Sequence, residues 1–585
     1  MILTKITSSV TLCTLFKHTN PKIPRYPFTS TTINKPDRIR YSSFARQKKL
    51  TKEQRIKESK YFPHLLDNDP NFSPIGFREL QLRLFSASIR EKPQWWEKMK
   101  VEHVRAHWTK ELEEQELNGD FIEFFFKELE RYREIEQGIE EELGFAINAH
   151  IDGVWRSNEL VSESLKKELI EGLRTIEDVP EDKKDWHAGS GNQVLNLVHP
   201  SLYPLVYNKT KSLETGLPIP LPGVVQTWVE AEEDKWVDLY GENPNIWSTQ
   251  FQWLPSDFQV SDDGKTKIKS YINNLHPVTH RNLYSTIEKI FSRFVPMFNL
   301  VLDDLRRKTH HMRRVKIDLL QRPQKNEDRW PATGTLVDWD FGWDMGKLAG
   351  EMFSPPQFSA NINGKTVKVI TKLTNIHLTP LDPKYPGGTW HVEGMNNERI
   401  IATGIYYYDC KNITDSVLSF RALLEDSGYE DYDAHSYRKI CGIDTETDSP
   451  ILQNVGEILT TQDRCIAFPN IYHQVVNPFG IVDPYSHGHR KILAFFLCEP
   501  NNDDIVSTSS VAPQQEHWLS ESSPEELRKT GVFKELPEEK FQRVIQHMKN
   551  PMSRVGAEEH RIKLMDERSM FTRRSRLIHG ARFNL

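Results

Sequence analysis

His391 and Glu393, two residues apart, are followed by His473, 80 residues beyond the glutamate, and by Arg490, 17 further on. Two imidazoles and one carboxylate can hold ferrous iron on one face of its octahedron, leaving three positions open for an oxo acid and oxygen. An arginine nearby can then grip that acid's far carboxylate with a two-pronged hydrogen bond. The residue types therefore imply a reaction, oxidation at a mononuclear iron, with His391, Glu393 and His473 as ligands and Arg490 as the anchor of the oxo acid. They do not name the molecule oxidised.

The surrounding sequence has to position these groups. Side chains two apart on an extended strand share a face, so His391 and Glu393 are expected to project together while Val392 packs behind. Pro386-Gly387-Gly388 before them and Gly394 after them permit tight turns. His473 lies in CIAFPNIYHQVVNP, a strand-like run from which it could complete the triad. Arg490 opens RKILAFFLC, a run apolar on both faces beyond Lys491. A guanidinium buried there needs an anion, because burying one without a partner costs several kcal/mol. A dicarboxylate such as 2-oxoglutarate would supply it.

The rest of the chain supplies a frame of strands. Gln250 to Val260 and Lys265 to Ile272 read as a hairpin about Asp263-Gly264. Further strands are predicted over Thr366 to Leu378, Arg399 to Tyr408, Val417 to Arg421, Cys465 to Val476 and Lys491 to Cys498. A helix over about 281–307 interrupts them, with Leu283, Ile287, Ile290, Phe291, Phe294, Phe298, Val301 and Leu305 on one stripe. Many short strands with helices outside predict an α+β protein whose core is a double-stranded β-helix, a cupin-like jelly roll. Before it, residues 51–191 read as a charged helical region, with Trp95, Trp96 and Trp108 as core candidates. The core is expected over 192–510, beginning with an irregular Gly- and Pro-rich connection from Asn192 to Gly223. Residues 511–585 read as a helical extension in which Ser523 caps a helix.

Composition narrows the class. Five cysteines, widely spread and never in a CxxC pair, argue against a disulfide framework or a zinc ribbon and favour an intracellular setting. The net charge of -6 gives no case for nucleic acid, and no apolar run is long enough for a membrane span. Residues 1–50 depart from this average: ten Lys or Arg stand against Asp37 alone, leaving the remainder at -15. This basic, acid-poor stretch reads as a mitochondrial presequence or a disordered tail of a cytoplasmic protein.

Other histidine motifs compete with the main set. His150-Ile151-Asp152 repeats the HxD pattern but sits among helices, so an ordinary surface or capping pair is expected. His276 and His280 are spaced to share a helix face, and the start of a helix is the expected reading. His310-His311 reads as a solvated helix end, and His487 and His489 as loop caps beside Arg490.

The blocks GGTWHVEGMNNERIIATGIYYYD, SYINNLHP, HPSLYPLVY and CIAFPNIYHQVVNPF followed by HRKILAFFLCEP resemble those of a large, mostly fungal family catalogued only as a domain of unknown function and grouped loosely with 2-oxoglutarate and iron-dependent oxygenases. The resemblance runs from about Phe62 to Trp518. It implies His391, Glu393 and His473 as iron ligands, Arg490 as the oxo acid anchor, and Fe(II) and 2-oxoglutarate as cofactor and co-substrate. It brings no substrate, whether small molecule or protein. Two features depart from the general oxygenase pattern: a glutamate stands where aspartate is commoner, and Ile492 stands where a hydroxyl residue often assists the arginine. Tyr271, Asn273 or Asn274 could supply the missing hydrogen bond. A barrel kept as a binding scaffold, or a cupin-like metalloenzyme without an oxo acid, are the alternatives.

Overall fold

Apolar stripes at helical spacing and alternating apolar runs sort this chain into helices and antiparallel strands. The computed structural model describes residues 61–66, 72, 75–115, 117, 119–143, 147–222, 246–308, 360–424 and 452–581, all within the compact unit Ile56–Leu585. The basic stretch 1–50 and His310-His311 lie outside these residues.

In chain order the strands are β1 (Ile147–Asn148), β2 (Trp155–Ser157), β3 (Val194–Val198), β4 (Leu205–Val206), β5 (Phe251–Gln252), β6 (Ser256–Val260), β7 (Thr266–Ile268), β8 (Thr366–Leu378), β9 (Lys384–Tyr385), β10 (Ile400–Lys411), β11 (Val417–Leu423), β12 (Leu452–Leu459), β13 (Cys465–Pro469), β14 (His473–Val476), β15 (Phe479–Gly480) and β16 (Gly488–Cys498). A large antiparallel sheet runs β1-β2-β13-β10-β16-β8-β6-β7, with β3 also paired to β8. A small sheet runs β12-β11-β14. The segment from β9 to His391 lies along β14 and β15: Tyr385 is opposite Phe479, Gly388 N–H donates to the Val476 carbonyl, and His391 is opposite Gln474. From β8 onward the chain thus crosses repeatedly between the large sheet and the small one.

The helix Arg281–Arg307 covers one face of the large sheet. All eight residues of its predicted stripe are buried. Phe291 and Phe294 meet the Phe495 ring edge-on at 5.2 and 5.7 Å. Gly404 makes this approach possible, since a Cβ there would fall 2.8 Å from Phe294 and 2.9 Å from Phe298. On β16, Leu493, Phe495 and Leu497 face the helix, while Arg490, Ile492, Ala494 and Phe496 face the opposite way by alternation.

Helices Phe77–Arg90, Trp95–Lys98, Glu102–Glu113 and Asp120–Leu143 precede the sheets, and Glu163–Glu177 follows β2. Trp95 and Trp108 are buried in a helical core, and Trp96 packs partly against it. Beyond the sheets, Ser523 caps Pro524–Arg528 in a full capping box with Glu526. The hairpin about Gly264, at φ +80°, joins β6 to β7. Three expectations change. The connection from Asn192 contributes β3 to the large sheet, the run from Cys465 to Val476 breaks into β13 and β14, and β12 had no predicted counterpart. No described helix is long and apolar enough to cross a membrane.

Candidate functional site

His391 and Glu393 come together, though not on a regular strand: His391 forms a single bridge to Gln474. Positive φ at Gly387 (+89°) and Gly394 (+70°) turns the chain on either side, and a Cβ on Gly387 would lie 2.9 Å from the Val476 carbonyl oxygen. Asn470 clamps the glutamate's backbone, accepting from the Glu393 N–H at 3.0 Å and donating to its carbonyl at 2.8 Å.

The imidazole is oriented from behind. His391 Nδ1 lies 2.7 Å from the Thr389 carbonyl, which only an N–H can satisfy, so Nε2 is left facing Glu393 Oε1 at 3.4 Å. Burial by itself would lower the His391 pKa, but the hydrogen bond and charge of Glu393 outweigh it and hold the imidazole above its ordinary value. Burial would raise Glu393, while His391, with Lys372 and Arg568 adding positive potential, keeps its carboxyl below the usual range.

The third neighbour is Gln474. Its Nε2 donates to Glu393 Oε1 at 2.8 Å, and its Oε1 is buried without a hydrogen-bond partner. His473, the sequence candidate, is the adjacent residue of the same strand. In the ladder it stands opposite Arg421, whose guanidinium stacks on Trp390 at 4.0 Å. Neighbours on a strand point to opposite faces, so β14 turns Gln474 toward Glu393 and His473 away. Accordingly, no group of three His, Cys, Asp or Glu side chains that could hold a metal occurs among the described residues.

Arg490 is fully buried. Its Nη1 donates to Ser416 Oγ, and its guanidinium lies 4.5 Å from the Tyr407 ring and 5.5 Å from the Phe479 ring. Nε and Nη2 have no hydrogen-bond partner, and no carboxylate forms an ion pair with it among the described residues. Burial raises the pKa values of Tyr385 and Tyr407 and pushes Cys410 up to about 11, so these neighbours stay neutral near pH 7. Among the described residues the positive charge has no counterion.

A chain of ladder partners and one ring contact connects the sheets that carry the two groups. Gln474 is opposite both His391 and Phe420, and Phe420 touches Phe468 at 5.1 Å. Phe468 is opposite Thr403, which is opposite Phe496 on the Arg490 face of β16. On this face Thr374 Oγ1 and Thr403 Oγ1 are also buried without partners.

The other motifs are structural. Asp152 is an ion-pair partner of Arg83 at 2.8 Å and His150 is buried, so the HxD pair is not at the surface. His276 Nδ1 accepts from the Val278 and Thr279 amides, and His280 is the N-cap of the long helix. Tyr271 bonds the Ala512 carbonyl, while Asn273 and Asn274 bond carbonyls from His199 to Tyr203, so none of the three reaches Arg490's surroundings. Ser416 and Tyr407 stand there instead, and Tyr407 lies directly across the ladder from Ile492. His489 pairs with Asp409 at 2.9 Å.

Mixed helices and antiparallel sheets thus carry a His-Glu-Gln cluster and, among the described residues, a buried arginine with no carboxylate paired to it. The chain belongs to the family described as "Protein of unknown function (DUF4246)", which matches residues 119–522, and the N-terminal domain described for that family matches residues 39–111. Comparison with curated proteins gives no match. Among solved structures the chain is similar to IDO from Bacillus thuringiensis, at 11% identity over 24% of this chain and 51% of that one with a TM-score of 0.15. It thus spans about half the length of that protein. It is also similar to TqaL, described as an Fe(II)/(alpha)ketoglutarate-dependent dioxygenase, at 9% identity over 59% of this chain and 92% of that one with a TM-score of 0.21.

Proposed function

We propose that this protein is an iron(II) and 2-oxoglutarate-dependent oxygenase built on a jelly-roll barrel, acting on a small molecule or a protein side chain. The observation that carries the reading is Arg490: fully buried and beside neutral side chains, with two nitrogens unpaired and no carboxylate paired to it among the described residues. An uncompensated buried guanidinium costs several kcal/mol unless an anion arrives. The barrel reading is supported by strand order. β8, β16, β10 and β13 lie side by side in one sheet, and β12, β11, β14 and the segment ending at His391 in the other, as two interleaved Greek keys require.

The donor set fits a divalent cation: a carbonyl-oriented imidazole presents Nε2, a carboxylate lies 3.4 Å from it, and β14 brings the third residue. His391 and Glu393 would hold the iron, with the third ligand from the His473-Gln474 pair. Bound iron supplies oxygen activation coupled to conversion of 2-oxoglutarate to succinate and carbon dioxide. The chain's own residues do the rest. Arg490 binds the far carboxylate of the oxo acid, Ser416 and the Tyr407 ring fix the guanidinium plane, and Tyr385 and Phe479 shield it from water. Asn470 and the Thr389 carbonyl keep Glu393 and His391 in place before any ligand binds.

Anaerobic titration with ferrous iron and 2-oxoglutarate tests this. A weak visible charge-transfer band should appear in the wild type and vanish in Glu393→Ala and Arg490→Ala. No band, or one that survives both substitutions, would rule the reading out.

A further inference from the structure

The register of the small sheet decides which member of the His473-Gln474 pair meets the grip, and the outcome changes the chemistry of the site. We propose that the third protein ligand is the amide oxygen of Gln474, giving a His391, Glu393 and Gln474 set for one divalent cation. This rests on the metal reading above and refines it.

Three observations support it. Gln474 is directly opposite His391, with both backbone hydrogen bonds made, 2.9 and 3.1 Å, so the two side chains share a face. Gln474 is 3% exposed and already touches the Glu393 carboxylate through Nε2. Its Oε1 is buried with no hydrogen-bond partner, a costly state for a strong acceptor. The two ends of an amide are close in size, so half a turn about its last bond exchanges them without repacking. A cation between His391 Nε2 and Glu393 would satisfy the carboxylate and accept that oxygen. His473, one residue away, is on the face of Arg421 and Trp390.

Replacing an imidazole by an amide leaves the charge of the set unchanged, one carboxylate against a dication, but makes its donors harder. Oxygen donors suit Mn(II) and Mg(II), whereas imidazole suits iron and zinc. The site should therefore hold Mn(II) well relative to Zn(II), and iron more loosely than a two-histidine site would.

The test uses the full-length protein, with Mn(II) followed by the electron paramagnetic resonance of the free ion and Co(II) by its visible bands. Wild type should bind one Mn(II). Gln474→Ala should weaken binding about tenfold or more, and His473→Ala should leave it unchanged. Gln474→His should shift the Co(II) bands, as nitrogen replaces oxygen, and raise Zn(II) affinity by about tenfold or more, gains that misfolding cannot mimic. If Glu393→Ala abolishes binding while Gln474→Ala binds as wild type, or if His473→Ala is the variant that loses metal, the metal reading stands and Gln474 is not the ligand. If wild type itself binds neither ion, both fail together.

Discussion

Arg83 and Arg490 are both buried guanidinia, at 2% and 0% exposure, yet they meet opposite surroundings. Arg83, on the helix Phe77–Arg90, has Glu79 one turn away, with Nε 2.9 Å from Oε1, and Asp152 across the packing at 2.8 Å. Arg490, on the central strand β16, has one serine hydroxyl and two aromatic faces. An arginine that serves the fold brings its carboxylates within the chain. Arg490 lacks them among the described residues, which is why an anion from outside is proposed for it. The comparison also disposes of His150-Ile151-Asp152, because its carboxylate is used in neutralising Arg83.

The contrast can be broken at either arginine. The largest effect belongs to the structural pair: Glu79→Ala should destabilise the protein by about 3 kcal/mol in urea unfolding, because it leaves the buried Arg83 guanidinium with Asp152 alone, while Arg490→Met in the ligand-free protein should cost little or even stabilise. Next, 2-oxoglutarate added to the Mn(II)-loaded protein at about a hundredfold over its dissociation constant should further stabilise the wild type by about 2.7 kcal/mol and give Arg490→Met no such increment, a difference visible in thermal unfolding. Ser416→Ala removes a hydrogen bond that fixes the Arg490 plane and should weaken oxo acid binding about tenfold to a hundredfold, in line with about 1.5–3 kcal/mol for bonds to charged groups. Smallest is Tyr407→Leu, which loses the ring beneath the guanidinium and should weaken the same binding by about 0.5–2 kcal/mol, read by calorimetry.

Much of this frame is legible in the sequence because it is periodic. The helix Arg281–Arg307 and the strand β8 coincide with their apolar stripe and alternation, and Ser523 announces its cap. β12 is illegible because Leu452–Leu459 carries a glycine and polar residues on both faces, so its sequence does not alternate cleanly. At the site, residue types and spacing singled out His391 and Glu393, and the apolar run after Arg490 implied its burial. Which of His473 and Gln474 faces the grip depends on strand register, and a slip of one residue exchanges the faces. A single sequence holds no measure of that. Ser416 and Tyr407 were equally invisible, since their role comes from lying across two ladders from Arg490 rather than near it in the chain.

Arg490 is proposed to await a dicarboxylate. Isothermal titration of 2-oxoglutarate into the Mn(II)-loaded protein, without oxygen, measures this directly in wild type and Arg490→Met. One equivalent bound by the wild type, with binding lost in Arg490→Met, is the predicted result. Equal binding by the two proteins would contradict it, and would make the buried guanidinium a feature of the fold alone.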